Sequence, residues 1–534
     1  MITQQAPPKG LGKERRVPLS AVILACLLVA ALGTFYWLAR SPFLSGQSDD
    51  VVYITSAKTL ASGQGYVWPQ YPDEPTNTLF PPGYPAFLAA LWGFNPAFPA
   101  NLTALHFVSL LLAAALLALG ALVVARVYRA DALTVALSVA LASTTLIALI
   151  VSTVMGSDTL YGVLGLAAML LVRDGARRPR RLLLGSLCAA AGFYVRTIGI
   201  TLIIACAVVG VQRWRRRCWV QGACLLWPVL ATLPWLVWTT IHGGSTYVAL
   251  WRGGIPGYAP PIDGPGTLAS IMANNVWHGG DILWNVAPVL IDVPLVGTLL
   301  LGWVLLRAWQ RWRQSGDLTP CYVGVYILLL LAWPWRAPGR FLWPLAPLLA
   351  ADAIQGLHAV WRQGSRWWGG RLPNGYLAIV MAVLAINVVV LGVAAVRLQT
   401  NGDIRDPGIV KDFRARLAVA DYLTAHVAPG AVLGTNHLTT GSWWWLYTGH
   451  QTLDGVARAD GQGAFFRAGL PPGDERLIDY FIYEPSNGLP DTDDWPVVRA
   501  RLAARGARLD PIYCAEGYTL CVYDWRPSPQ AAAR

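Results

Sequence analysis

The chain has 534 residues, of which 55% are apolar and 13% charged, with a formal net charge of +12. Soluble globular domains carry about 25% charged residues, so this composition excludes an ordinary soluble enzyme. Apolar blocks long enough to span ~30 Å of hydrocarbon recur along the chain, which makes it an integral membrane protein. The positive charge then reflects topology and anionic lipid headgroups, and no nucleic-acid partner is expected.

The first apolar block, Val17 to Ala39, follows Lys9, Lys13, Arg15 and Arg16. It is longer than the apolar core of a signal peptide and has no small-x-small cleavage site, so it reads as a retained helix. Further basic groups stand at Arg126/Arg129, Arg173 to Arg181, Arg213 to Arg217, Arg307 to Arg313 and Arg362 to Arg371. Arg and Lys are held on the cytoplasmic side, so an apolar stretch with basic groups at both ends must cross the membrane an even number of times. Each such stretch becomes a hairpin. The outer tips are expected in residues 40–100, near Met155 to Asp158, near Arg196 between two short helices, in His242 to Ala287, and at Pro334 to Arg340. A last span, Tyr376 to Val396, carries the chain out. The expected architecture is a polytopic α-helical membrane domain over residues 1–396 with about eleven spans, N-terminus cytoplasmic, in the inner or plasma membrane.

Residues 397–534 change character to mixed charge and turn-rich breaks, and are expected to form a small extracytoplasmic α/β domain. Phe413, Leu417, Ala420 and Leu423 have helical spacing; Ala431 to Leu433 and Tyr518 to Tyr523 read as strands. Most cysteines lie in or beside apolar blocks, as small buried hydrophobes. Cys514 and Cys521 are the exceptions: in an oxidising compartment they would form a disulfide, and two free thiols is the other reading.

With the hairpins folded, the unusual polar residues gather on the outer face: Asp49, Asp50, Lys58, Asp158, Arg196, Arg336 and Arg340. Such groups at a membrane surface need a reason. Sugar transfer from a lipid phosphate would supply one. Its leaving group is already an anion and needs cations, for which the arginine fork is suited. Its acceptor hydroxyl needs one carboxylate to take the proton. Plainer readings exist for each residue. Asp49 and Asp50 suit the cap of a helix starting at Val51, and Asp158 the cap of Thr159 to Val172. Lys58 suits a solvated interfacial helix, and Arg336 and Arg340 suit snorkelling to headgroups.

The order of short motifs adds a resemblance. Asp49-Asp50, Tyr53, Ala57, Leu60 and Gly63, then Pro81-Pro82-Gly83-Tyr84-Pro85, resemble the first external loop of GT-C glycosyltransferases of the protein O-mannosyltransferase and aminoarabinose transferase type. Ser157-Asp158, Arg196-Thr197-Ile198-Gly199 and Arg340-Phe341-Leu342-Trp343-Pro344 extend it over most of the membrane region. Asp50 stands where Glu is common, Phe341 replaces a Tyr, and Phe80 stands where the aminoarabinose transferases have a Lys.

The resemblance implies a polyprenyl-phosphate-sugar donor and an extracytoplasmic lipid, glycan or protein acceptor. It implies Asp49 as base, with Asp50 beside it and Asp158 as a second acidic residue. Arg340 and Arg196, with Arg336 and Lys58, would face the donor phosphate, and Tyr53, Pro82 and Tyr84 would form the first-loop motif. No cofactor is required on this reading. A divalent metal could be held by the carboxylates, but no ligand spacing supports one. The rivals are a transporter or flippase, against which the charges stand at outer tips with no inverted repeat, and an extracytoplasmic polysaccharide polymerase or ligase.

Overall fold

The computed structural model describes residues 30–40, 44, 48–175, 178–244, 264–277, 286, 294–333, 339–367, 375–401, 409–437, 439–458, 474–485, 494–515 and 520–528. The start of the first expected span, most of the tip from His242 to Ala287, and Arg336 lie outside the described residues. The membrane region begins with α1 (Ala30–Ala39), α2 (Ser48–Ala61), α3 (Gly83–Trp92), α4 (Leu102–Arg126), α5 (Ala132–Ser143) and α6 (Leu146–Thr153). It continues with α7 (Ser157–Asp174), α8 (Pro179–Val195), α9 (Ile200–Arg215), α10 (Trp219–Ala231) and α11 (Leu233–Ile241). It closes with α12 (Pro265–Trp277), α13 (Pro294–Ser315), α14 (Leu318–Leu331), α15 (Ala346–Trp367) and α16 (Gly375–Asn401).

Leucine and alanine dominate α4, whose 25 residues extend roughly 37 Å at 1.5 Å per residue, enough to cross the hydrocarbon layer. By length and composition, four helices among the described residues are apolar enough to cross a membrane, or five if α5 and α6 form one bent span. That bend is 65°. It has a local cause: the Thr144 hydroxyl turns back onto the Ala140 carbonyl at 2.7 Å, and Thr145 caps α6 by accepting from the Ala148 N–H at 3.2 Å. Large apolar side chains stay exposed on α4, α10, α11 and α16, among them Leu111, Leu230, Ile241 and Val389. On a water-soluble surface a patch of that extent would aggregate; against lipid tails it is the expected face.

The C-terminal unit holds α17 (Ile409–His426), β1 (Leu433–Thr435), α18 (Gly441–Thr448), β2 (Thr452–Leu453), β3 (Tyr480–Tyr483), α19 (Trp495–Ala504), β4 (Tyr513–Cys514) and β5 (Cys521–Asp524). The sheet order is β2-β1-β3-β5-β4. β1 runs parallel to β2 and β3, while β5 pairs antiparallel with β3 and β4. Phe413, Ala420 and Leu423 are buried on α17, as their spacing requires; Phe481 stacks on Trp525 on one face of the sheet, and Ile482 and Val522 are buried on the other. Cys514 and Cys521 are joined by a disulfide across the β4–β5 pair.

Glu484, just past β3, anchors a buried polar network. It accepts from the hydroxyls of Thr435 and Thr440 at 2.7 and 2.6 Å and the Trp444 indole at 3.0 Å, and pairs with Arg416 at 2.8 Å. Burial raises its pKa, but Arg416 and His437 and these donors outweigh burial and hold it down to about 2. The C-terminal unit rests on the first loop of the membrane region. The Thr452 N–H donates to the Gln70 carbonyl at 2.5 Å, and the Tyr71 hydroxyl donates to Asp454 at 3.1 Å.

Candidate active site

α2 begins at Ser48, earlier than the expected start at Val51, so both carboxylates lie inside its first turn. Neither therefore caps a helix starting at Val51. Every residue from Asp50 to Ala57 is buried, so this stretch of α2 is enclosed on all sides. The Asp50 carboxylate accepts from the Val51 N–H at 2.8 Å. Asp49 points elsewhere and forms an ion pair and hydrogen bond with the Arg340 guanidinium.

Asp158 likewise lies in the first turn of α7, behind Gly156 as N-cap, and makes no capping bond of its own. Its Oδ2 pairs with Arg196 at 3.0 Å, while its buried Oδ1 has no hydrogen-bond partner. Arg196 stands in the break between α8 and the short 3₁₀ turn Thr197–Gly199 that leads into α9. Its guanidinium also donates to the Ser157 hydroxyl at 2.9 Å, and Ser157 shares a 2.9 Å hydrogen bond with the Tyr53 hydroxyl. Tyr53 thus ties α2 to the start of α7.

The proline motif positions the first loop. Pro82 occupies the N-cap of α3, and Tyr84 packs edge-on against Tyr53 with ring centroids 5.0 Å apart. Burial pushes the Tyr84 phenol up, with Asp50 and Asp158 adding to it against a hydrogen bond from Ser109. Gly83 has no substitute here. A Cβ on it would stand 2.6 Å from the carbonyl carbon and oxygen of Tyr194 and 2.9 Å from the Val195 nitrogen. The absent side chain lets the start of α3 touch the end of α8, one residue before Arg196.

Arg340 lies in a 3₁₀ turn, Gly339–Leu345, held from below. The Tyr326 hydroxyl donates to the Phe341 carbonyl, Tyr326 stacks on Tyr161 at 6.3 Å, and Tyr161 and Tyr322 share a hydroxyl contact of 2.7 Å. Pro344 fits against Gly162, where a Cβ would meet its Cα at 3.1 Å. The Phe341 ring lies under both guanidinia, 4.7 Å from Arg196 and 5.4 Å from Arg340. Asp158 and Arg196 both act electrostatically on Arg340. The two ion pairs are one cluster.

Asp49, Asp158, Arg196, Arg340, Tyr53 and Tyr84 are therefore brought together, with Asp50 and Pro82 beside them. Lys58 faces another way. It is about two and a half turns along α2 from Asp49, its ammonium lies 4.5 Å from the Trp445 ring of α18, and burial lowers its pKa. Cys514 and Cys521 belong to the C-terminal sheet, with no part in the cluster. Among the described residues, no group of three or more His, Cys, Asp and Glu side chains stands close enough to hold a metal ion. Sequence reasoning missed Tyr326, which supports the arginine turn, and the α18 residues Trp445 and Tyr447. Asp50 contributes to the raised pKa of the Tyr447 phenol, after burial. The run Trp443-Trp444-Trp445 is the sequence signal that marks α18.

Neither a protein-family model nor a curated protein sequence matches the chain. Solved structures do. ArnT from Cupriavidus metallidurans bound to undecaprenyl phosphate is similar with a TM-score of 0.56 at 12% identity, over 96% of this chain and 100% of that one. The same protein in the apo state gives 0.54 at 12% identity, over 96% and 99%. The oligosaccharyltransferase AglB from Archaeoglobus fulgidus, in complex with an inhibitory peptide and a dolichol-phosphate, gives 0.51 at 10% identity, over 88% of this chain and 70% of that one. The helices, the first loop and the small C-terminal sheet of this chain together have the fold of these solved structures.

Proposed function

We propose that the protein is a glycosyltransferase of the cell membrane that moves a sugar from a polyprenyl-phosphate-linked donor to an extracytoplasmic lipid, glycan or protein acceptor. The observation that carries this reading is the meeting of two carboxylate–guanidinium pairs, Asp49 with Arg340 and Asp158 with Arg196, from sequence-distant segments. The reaction is a single inverting displacement. The acceptor oxygen bonds to the anomeric carbon as the bond from that carbon to the phosphate oxygen breaks, and its electron pair leaves on the phosphate. The acceptor proton goes to Asp49. Arg340 and Arg196 stabilise the charge gathering on the leaving phosphate, and the partnerless Oδ1 of Asp158 accepts from a substrate hydroxyl.

Asp49→Asn in purified enzyme with a lipid-linked donor should abolish transfer without unfolding the protein, because the amide keeps the shape and cannot take the proton. Near wild-type turnover would refute the assignment of Asp49. Accumulation of a polyprenyl-phosphate sugar in cells lacking the protein tests the donor class. The expected orientation has about eleven spans with the N-terminus inside. A cysteine at exposed Phe94 should react with an impermeant reagent from outside, and one at exposed Arg216 should not.

A further inference from the structure

The transfer needs Arg340 on the donor phosphate and Asp49 on the acceptor hydroxyl, yet in the structure these two groups hold each other. The two pairs of the cluster are not equivalent. Asp158 and Arg196 are 3% and 13% exposed, and Arg196 is tied further to Ser157, which Tyr53 also holds. Asp49 and Arg340 are 28% and 17% exposed, so theirs is the pair open to an incoming anion. We propose that the donor phosphate takes Arg340 away from Asp49, so that donor binding itself releases the carboxylate that serves as base. This rests on the transferase reading and adds the order of events to it.

The exchange follows from charge and shape. A guanidinium fork binds phosphate in the same two-pronged manner as carboxylate, so the two compete for one set of donors. Sharing the fork would bring two anions within about 5 Å of each other in a partly dry site, which their repulsion opposes. While its Oδ2 is held by Arg340, that oxygen of Asp49 is engaged and is not turned to an acceptor hydroxyl. Once the phosphate is seated, the carboxylate is released beside the anomeric carbon. The acceptor is activated only when a donor is present, and donor binds first.

The test is direct binding of undecaprenyl phosphate to the full-length protein in detergent, with undecaprenol as the phosphate-free control. Asp49→Asn removes the competitor for Arg340 and should tighten undecaprenyl phosphate binding about tenfold while transfer is lost, with undecaprenol binding unchanged. Asp49→Ser, a second neutral side chain, should do the same, so the result does not depend on one variant folding. In an Arg340→Gln background, which itself weakens binding, Asp49→Asn should add nothing, since the group competed for is gone. Unchanged or weaker phosphate-lipid binding in both neutral variants overturns the exchange while leaving the donor class in place. Equal tightening of undecaprenol also overturns it, as that marks a lipid-groove effect. Failure of wild-type protein to bind undecaprenyl phosphate any better than undecaprenol overturns both the exchange and the donor class.

Discussion

Gly83→Ala tests whether the first loop is docked onto the arginine break by backbone contact. The added methyl would lie 2.6 Å from the Tyr194 carbonyl and 2.9 Å from the Val195 nitrogen. Carbon contacts settle near 3.5 Å or beyond, so the start of α3 must retreat by about 1 Å. The atoms in the way are backbone, and no side-chain rotation relieves the clash. Overpacking of this kind costs about 1–3 kcal/mol, and a ~1 Å misplacement of a catalytic framework costs on the order of a hundredfold in rate. Turnover with a lipid-linked donor and thermal unfolding in detergent should both fall. Gly93→Ala, at the other end of α3, is the control: its methyl would meet the Ala90 carbonyl oxygen at 3.6 Å, an ordinary contact. Wild-type rate and stability for Gly83→Ala would refute the docking argument, as would an equal loss in Gly93→Ala.

Arg340→Ala should cut turnover by about a hundredfold or more, the scale of losing one donor to a transition-state charge, and Arg340→Lys should recover only part of it. A nearly silent Lys variant would remove Arg340 from the phosphate site. Cys514→Ser should lower the stability of the C-terminal domain by about 2–3 kcal/mol, the expected effect of opening a short loop, measured by unfolding with and without reductant. Asp454 gives a pH prediction. Burial raises its pKa from 3.8 to about 7, against hydrogen bonds from Gly441 and Tyr71 and with Glu484 adding to the rise. The folded state then binds the proton more tightly than the unfolded state, so this contribution is fully present below 3.8 and lost as pH rises to about 7. It amounts to on the order of 4 kcal/mol. His437, held down to about 4 by burial, changes stability in the opposite sense as pH rises from 4 to 6.5. The difference between wild type and Asp454→Asn therefore isolates Asp454: it should shift in favour of the variant as pH rises from 4 to 7. A flat difference would refute the assignment.

The sequence by itself determined the membrane class, through apolar blocks and basic clusters whose meaning is additive along the chain and needs no partner. It also marked the break at Arg196, the acidic pair at the first loop, and one helix and two of the described strands of the C-terminal unit, the first strand two residues early, because periodicity and turn residues act locally. Helix starts were less legible: α2 and α7 begin upstream of where capping chemistry alone placed them, since Asp49 and Asp158 are drawn to arginines far along the chain instead of to their own N–H groups. Only the tertiary structure decided which carboxylate meets which guanidinium, that Lys58 turns to Trp445, and that Tyr326 holds the turn bearing Arg340. These choices depend on which helices pack together, and that is set by contacts such as Gly83 on Tyr194 and Gly162 on Pro344. A missing side chain leaves no mark in a sequence beyond the letter for glycine; what it makes room for exists only after folding.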